Sequence, residues 1–212
     1  MTTIKNIESF VYRYPLSKPV ITSFGVMDNR PMLILKITDN NGMYGWGEVW
    51  CNFPLTGAEH RAKLIDNVFK PLLANFNIIT PEKTYEYLVS KTKILSIQSG
   101  EPGPIAQCIA GIDIAIHDLI GKVENISLWK KFGGNKNIIP CYASGINPTK
   151  PEVTVKDAIK KGYSSFKLKI GFGLKKDLGN IKEIKNILPE KSSLMVDANQ
   201  AWNLNEAIEA CK

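Results

Sequence analysis

The second part of the chain repeats one unit of nearly constant length, and that repeat leaves few folds open to it. Strand-like runs at 138–143, 165–170 and 193–198 alternate with helix-like runs at 151–161 and 175–188 and a further helix beginning near Asn203. From Tyr142 to Lys169 is 27 positions and from Lys169 to Asp197 is 28, so three strand ends recur at a regular interval. Alternating βα units of this kind build a parallel barrel or a doubly wound sheet. A complete (β/α) barrel takes about 250 residues, so the expectation is two full units and part of a third, an incomplete TIM-like barrel over residues 126–212.

The preceding residues follow a different grammar. A strand is expected at 4–14, a Pro/Gly-punctuated loop at 15–28 and a second strand at 31–38. Asp39-Asn40-Asn41-Gly42 is strong turn chemistry, and 43–49 supplies the returning strand of a hairpin. Helical patterning follows at 58–73, 81–91 and 104–122. In the last of these Ile105, Ile109, Ile112, Ile116, Leu119 and Ile120 recur at helical spacing, with Pro104 suited to the first turn and Gly121 to the end. Strands first and helices after describe an α+β domain, placed at residues 1–125.

Composition excludes several classes. With 44% hydrophobic and 22% charged residues the chain is ordinary globular protein rather than a disordered one. The formal charge of +7 comes from scattered lysines, with Arg only at positions 13, 30 and 61, which argues against a nucleic-acid surface built from clustered Arg forks. Cys51, Cys108, Cys141 and Cys211 form no CxxC pair, the pattern of reduced packing thiols. Residues 1–10 lack the apolar stretch of a signal peptide, and no apolar run is expected to reach the ~18 residues that span a bilayer. A cytoplasmic protein with no membrane or nucleic-acid partner is the expectation.

The chemistry lies at the strand ends. Successive strand residues point to opposite faces, so Phe166, Leu168 and Ile170 share one face while Lys167 and Lys169 share the other. The apolar face must meet the helices, which sends both ammonium groups to the barrel mouth. Two buried lysines side by side lower the pKa of at least one by repulsion and desolvation, and a neutral amine near pH 7 is a base. A solvated strand face with two snorkelling lysines is the alternative for such a pair taken alone. On the next strand Leu194, Val196 and Ala198 form the apolar face, and Met195, Asp197 and Asn199 point the other way. An Asp at that height is a natural ligand for Mg²⁺, which prefers oxygen donors. Taken alone, Asp197 also reads as an N-cap or turn residue.

The chain resembles the enolase superfamily, in its mandelate racemase and muconate-lactonizing branch. The resemblance rests on Gly45-Trp46-Gly47-Glu48, Ala110-Gly111-Ile112-Asp113-Ile114-Ala115, Phe132-Gly133-Gly134, Lys167-Leu168-Lys169-Ile170-Gly171 and Val196-Asp197-Ala198-Asn199-Gln200-Ala201-Trp202. It implies an α+β capping domain that closes over a modified barrel and a Mg²⁺ cofactor. Lys169 would exchange the proton α to a small-molecule carboxylate, and Lys167 would depress its pKa and approach the carboxylate. Asp197 would be the first of three carboxylate ligands to the metal, which would stabilise the enediolate. Asn199 would touch substrate or order the metal shell, and Tyr142 and Ser144, at the end of the first barrel strand, would contact substrate.

Two loops of the capping domain, 19–28 and 50–57, look like the specificity loops of such enzymes. They carry Phe24, Val26, Trp50 and Phe53, which would wall a pocket for a substrate with some nonpolar surface or else pack into the domain core. The long-helix motif often reads Ala-x-Trp-Asp in relatives, whereas this chain has Ala115-Ile116-His117-Asp118, so His117 is expected to replace an aromatic packing residue, and His60 to lie at the surface. The remaining metal ligands and the second acid/base are not assignable, which suggests a truncated, cleaved or incompletely represented form of a longer enzyme that would be a homo-oligomer at full length. Racemisation or epimerisation of a carboxylic acid is the leading expectation. Sugar-acid dehydration and cycloisomerisation start from the same proton abstraction, and a catalytically inactive fragment is the alternative of a different class.

Overall fold

The computed structural model describes residues 2–22 and 25–212 and divides into two compact units, residues 1–15 with 29–135 and residues 16–28 with 136–212. In the first, β1 (Thr2–Thr22), β2 (Gly25–Asp39), β3 (Tyr44–Val49) and the short β4 (Asn77–Ile78) form a sheet in the order β3-β2-β1-β4. Helix α1 (Gly57–Leu64) continues through a π-helical turn (Ile65–Phe69) into α2 (Lys70–Leu72). Helices α3 (Pro81–Ser99), α4 (Pro102–Val123) and α5 (Leu128–Lys131) follow.

Strand β2 shows the two-residue period in burial: Leu33, Leu35 and Ile37 are fully buried. At its end the buried Asp39 accepts hydrogen bonds at Oδ1 from the amides of Asn41 (2.9 Å) and Met43 (2.8 Å), and Gly42 takes φ 84°, so the predicted turn forms. The glycines of the Gly-x-Gly motif have a packing cause. A Cβ at Gly45 would sit 2.1 Å from the Ala115 carbonyl oxygen, and one at Gly47 would sit 2.1 Å from that of Gly111. A Cβ at Gly111 would in turn meet Val49 Cγ2 at 2.4 Å. Strand β3 and helix α4 therefore approach to a distance that only glycine allows on both sides.

Helix α4 is long and apolar enough, with a mean hydropathy of 1.3 over its best window, to cross a membrane by length and composition, although Asp113 and Asp118 interrupt its apolar run. Ile105, Cys108, Ile109, Ile112, Ala115, Ile116 and Leu119 nevertheless line the core of this unit, which is how a central helix of a folded domain is used.

Several boundaries differ from the sequence reading. The expected loop at 15–28 is largely strand, because β1 and β2 run on to Thr22 and from Gly25. Strand β4 pairs with β1 at Thr2 and Thr3. Helix α3 outruns its expected end at residue 91 and stops at Gly100, whose left-handed φ of 67° caps it.

The second unit contains β5 (Ala143–Ile146), α6 (Pro151–Lys160), β6 (Ser165–Lys169), α7 (Leu174–Lys185), β7 (Ser193–Asp197) and α8 (Leu204–Ala210), with parallel strand order β5-β6-β7. Phe166 and Leu168 of β6 and Ile170 just beyond it meet Val155, Ala158 and Ile184 of α6 and α7 in one apolar cluster. The first strand of this sheet is not at 138–143 as expected. Ile138 and Ile139 are 80% and 83% exposed, and pairing begins at Ala143 opposite Phe166. The β-branched pair suggested a strand, but burial against the helices selected the segment containing Ile146. On β7, Val196 is 48% exposed rather than buried on the apolar face, since β7 is an edge strand of this sheet.

Candidate active site at the carboxyl ends of the parallel strands

Strands β6 and β7 are in parallel register with Lys167 opposite Met195 and Lys169 opposite Asp197. The two-residue period puts both lysines on the face away from the apolar cluster, as expected, and their side chains are 24% and 20% exposed. Lys169 Nζ donates to Asp197 Oδ2 at 2.8 Å, and Lys167 Nζ lies 3.5 Å from the same oxygen. Lys169 Nζ also donates to Asn199 Oδ1.

Asn199 is not in the strand, which ends at Asp197. It returns to the cluster because the chain turns sharply. Its amide donates to Asp197 Oδ1 at 3.0 Å, and Asn199 and Gln200 both take left-handed backbone angles, φ 46° and 57°. Two consecutive non-glycine residues in that region carry a conformational cost, and such strain collects at functional sites.

The charges shift as the geometry requires. Lys169 holds the Asp197 carboxyl below the usual carboxylate range, helped by the Asn199 amide and by Lys167. Lys167 is held above the ordinary lysine value, first by the Tyr142 hydroxyl and further by Asp197. The expectation was that at least one of the two lysines is lowered; Lys167 is not that one, because Tyr142 and Asp197 outweigh the desolvation of its partly exposed side chain.

Tyr142 lies one residue before β5, with the Lys167 ammonium 5.0 Å from its ring centroid. Between Ala143, paired with Phe166, and Ile146, paired with Leu168, β5 carries one extra residue. The bulge places Ser144 and Gly145 opposite Lys167, with Gly145 at φ 75°, and Ser144 is exposed there. Tyr142 and Ser144 are thus at the start of the strand and in its bulge rather than at the end of a strand over 138–143.

Lys167, Lys169, Asp197, Asn199 and Tyr142 form one cluster. Val26 is 58% exposed in the second unit, Trp50, 48% exposed, and the partly buried Phe53 belong to the first unit, and Phe24 lies outside the described residues. In the first unit the 50–57 segment is held by its own carbonyls: buried Arg61 donates to the oxygens of Phe53 (3.3 Å) and Gly57 (3.0 Å), and Arg13 donates to that of Leu55 (2.8 Å). His117 packs its ring edge-on against Phe132 at 5.1 Å, in line with a packing role, and His60 pairs with Glu101 at 3.0 Å on the surface. Sequence reasoning missed Asp177, a buried carboxylate in the first turn of α7; an acidic residue four positions after Gly173, at a helix start, was the available signal.

Asp197 and Asn199 offer a carboxylate and an amide oxygen at one strand end, hard donors that fit part of a Mg²⁺ shell. Among the described residues no three His, Cys, Asp or Glu side chains gather into a metal-binding group. The two oxygens are therefore a portion of a ligand set, and both are engaged by Lys169.

Fold and site together define a protein with an α+β domain followed by the first units of a (β/α) barrel, carrying a lysine and carboxylate cluster at the carboxyl ends of its parallel strands. Residues 6–133 match the mandelate racemase/muconate lactonizing enzyme N-terminal domain, and residues 152–212 match the enolase C-terminal domain-like family. The chain belongs to the mandelate racemase/muconate lactonizing enzyme branch of the enolase superfamily. Among similar solved structures is a mandelate racemase/muconate lactonizing enzyme from Bordetella bronchiseptica RB50, 41% identical with a TM-score of 0.89 over 99% of this chain and 55% of that one. A racemase from Streptomyces coelicolor A3(2) with bound magnesium is 28% identical, with a TM-score of 0.86 over 98% of this chain and 58% of its own. A curated relative, 3,6-anhydro-alpha-L-galactonate cycloisomerase from Streptomyces coelicolor, is 27% identical over 99% of this chain and 58% of its length. The chain spans just over half the length of the relatives it matches.

Proposed function

We propose that this chain supplies the first half of the active site of an enzyme that removes the proton α to a carboxylate, acting as a racemase or epimerase of a small carboxylic acid. The observation that carries this reading is the convergence of Lys167 and Lys169 on one carboxylate oxygen of Asp197. In the proposed step the neutral amine of Lys169 takes the α-proton, and the electron pair of the broken C–H bond moves into the substrate carboxylate to give an enediolate. The Lys167 ammonium, held protonated by Tyr142 and Asp197, faces that growing negative charge. Mg²⁺ bound at Asp197, with Asn199 beside it, would supply further positive charge to the substrate carboxylate. Delivery of a proton from a second acid on the opposite face would invert the centre, while Lys169 keeps the proton it removed.

The similar racemase from Streptomyces coelicolor A3(2), with its bound magnesium, supports both the cofactor and the racemase reading. The cycloisomerase relative keeps a second outcome of the same first step in view, in which the carbanion expels a β-substituent instead of being reprotonated. In the full-length protein, α-hydrogen exchange with deuterated solvent is expected for carboxylate substrates. It should be abolished for at least one stereoisomer by Lys169→Ala, and Mg²⁺ binding should be lost in Asp197→Asn. Exchange of both stereoisomers at the wild-type rate in Lys169→Ala would remove the base role.

A further inference from the structure

Asp177 is only 4% exposed, and its carboxylate is spent on main-chain amides. Oδ2 accepts from the Gly171 amide at 2.9 Å and the Phe172 amide at 3.2 Å, and Oδ1 accepts from Phe172 at 3.3 Å. The residue capping α7 is Gly173, at φ 105°, which has no side chain to cap with, so Asp177 reaches back over the helix start. A buried carboxylate is costly unless hydrogen-bonded, and charge-assisted bonds from backbone amides are the strong kind that offsets this.

The amides it holds are the ones that follow Lys169. The Ile170 amide donates to the Asp197 carbonyl at 3.0 Å, and the next two amides donate to Asp177. The chain leaving β6 is thus fastened to β7 on one side and to α7 on the other, immediately beyond the lysine whose amine, in the proposed step, must reach the reacting carbon. The carboxylate of Asp177 bonds to the Gly171 and Phe172 amides, so its effect on Lys169 is transmitted through the backbone.

We propose that Asp177 is a positioning residue for Lys169: by fixing the Gly171–Phe172 backbone it sets the place of the Lys169 amine at the strand end. The inference rests on the reading of Lys169 as the base for its catalytic consequence, though not for its structural one. A misplacement of about 1 Å at a reacting group costs roughly 10²-fold in rate.

The test uses the full-length protein with Asp177→Asn and Asp177→Ala, and Val155→Ala as a packing control from the same apolar cluster. Lys169 acylation by N-acetoxysuccinimide is followed by peptide mass spectrometry relative to the exposed Lys160. A rise of threefold or more is expected in the Asp177 variants and not in Val155→Ala, together with a tenfold or larger fall in kcat for α-hydrogen exchange at a KM within threefold of wild type. Labelling within twofold of wild type in folded Asp177→Asn, or an equal rise in Val155→Ala, overturns the inference. Labelling needs no turnover, so a wild-type protein that exchanges no α-hydrogen would count against the proposed function and leave this test decisive.

Discussion

Lys169 and Asp197 are direct partners across two parallel strands, and their side chains meet at 2.8 Å on the face opposite the apolar cluster. One register fixes the whole arrangement. A slip of one residue between β6 and β7 would turn one of the two charged groups into the helix-covered side.

The pH dependence of the cluster follows from its two resolved shifts. Asp197 is lowered in the folded protein, so its contribution to stability is present above the unfolded value near 3.9 and is lost as pH falls through the lower folded value. Lys167 is raised, so its contribution is present below about 10.4 and is lost as pH rises through the higher folded value. Urea midpoints should show a contribution between about pH 4 and pH 10 that Asp197→Asn removes. An unchanged pH profile in that variant would mean the cluster contributes nothing to folding.

Gly47 should tolerate no side chain. A Cβ there would lie 2.1 Å from the Gly111 carbonyl oxygen and 2.8 Å from the Ala115 amide, both backbone atoms that cannot step aside. Gly47→Ala is expected to cost about 3 kcal/mol, at the upper end of ordinary overpacking. Gly103→Ala, with nothing within 4 Å of its Cβ, is the contrast. Inside α4 it is expected to be neutral or to stabilise by up to about 1 kcal/mol. Chemical denaturation of both variants checks the pair, and equal effects would contradict the close strand–helix approach.

The four cysteines should separate by reactivity. Burial pushes the Cys108 thiol up to about 12 and raises that of Cys51, while Cys141 and Cys211 are exposed. Iodoacetamide at pH 8 under native conditions is expected to modify Cys141 and Cys211 within minutes and to leave Cys108 and Cys51 until the protein is unfolded. Modification of Cys108 at the rate of Cys141 would place it outside the core.

Much of the site was legible because its signals are local. Alternation within 165–170 and 193–197 told which residues share a face, and the constant interval between strand ends told that those faces belong to one parallel sheet. The first strand of that sheet was misplaced because Ile138 and Ile139 have β propensity, and propensity says nothing about which apolar residue the helices will cover. The direction of the Lys167 shift was not legible in the sequence because Tyr142 and Asp197 reach it through space, from other parts of the chain.

The sequence by itself determined the order of the elements, the faces of β6 and β7 and the residue types at their ends, because side-chain period and turn chemistry act over a few neighbouring residues. Only the tertiary structure decided that β5 starts at Ala143, that a left-handed turn brings Asn199 back to Lys169, and that Asp177 ties down the backbone beyond it. Those outcomes depend on register, burial and hydrogen bonding between segments far apart in the chain, which no local pattern encodes.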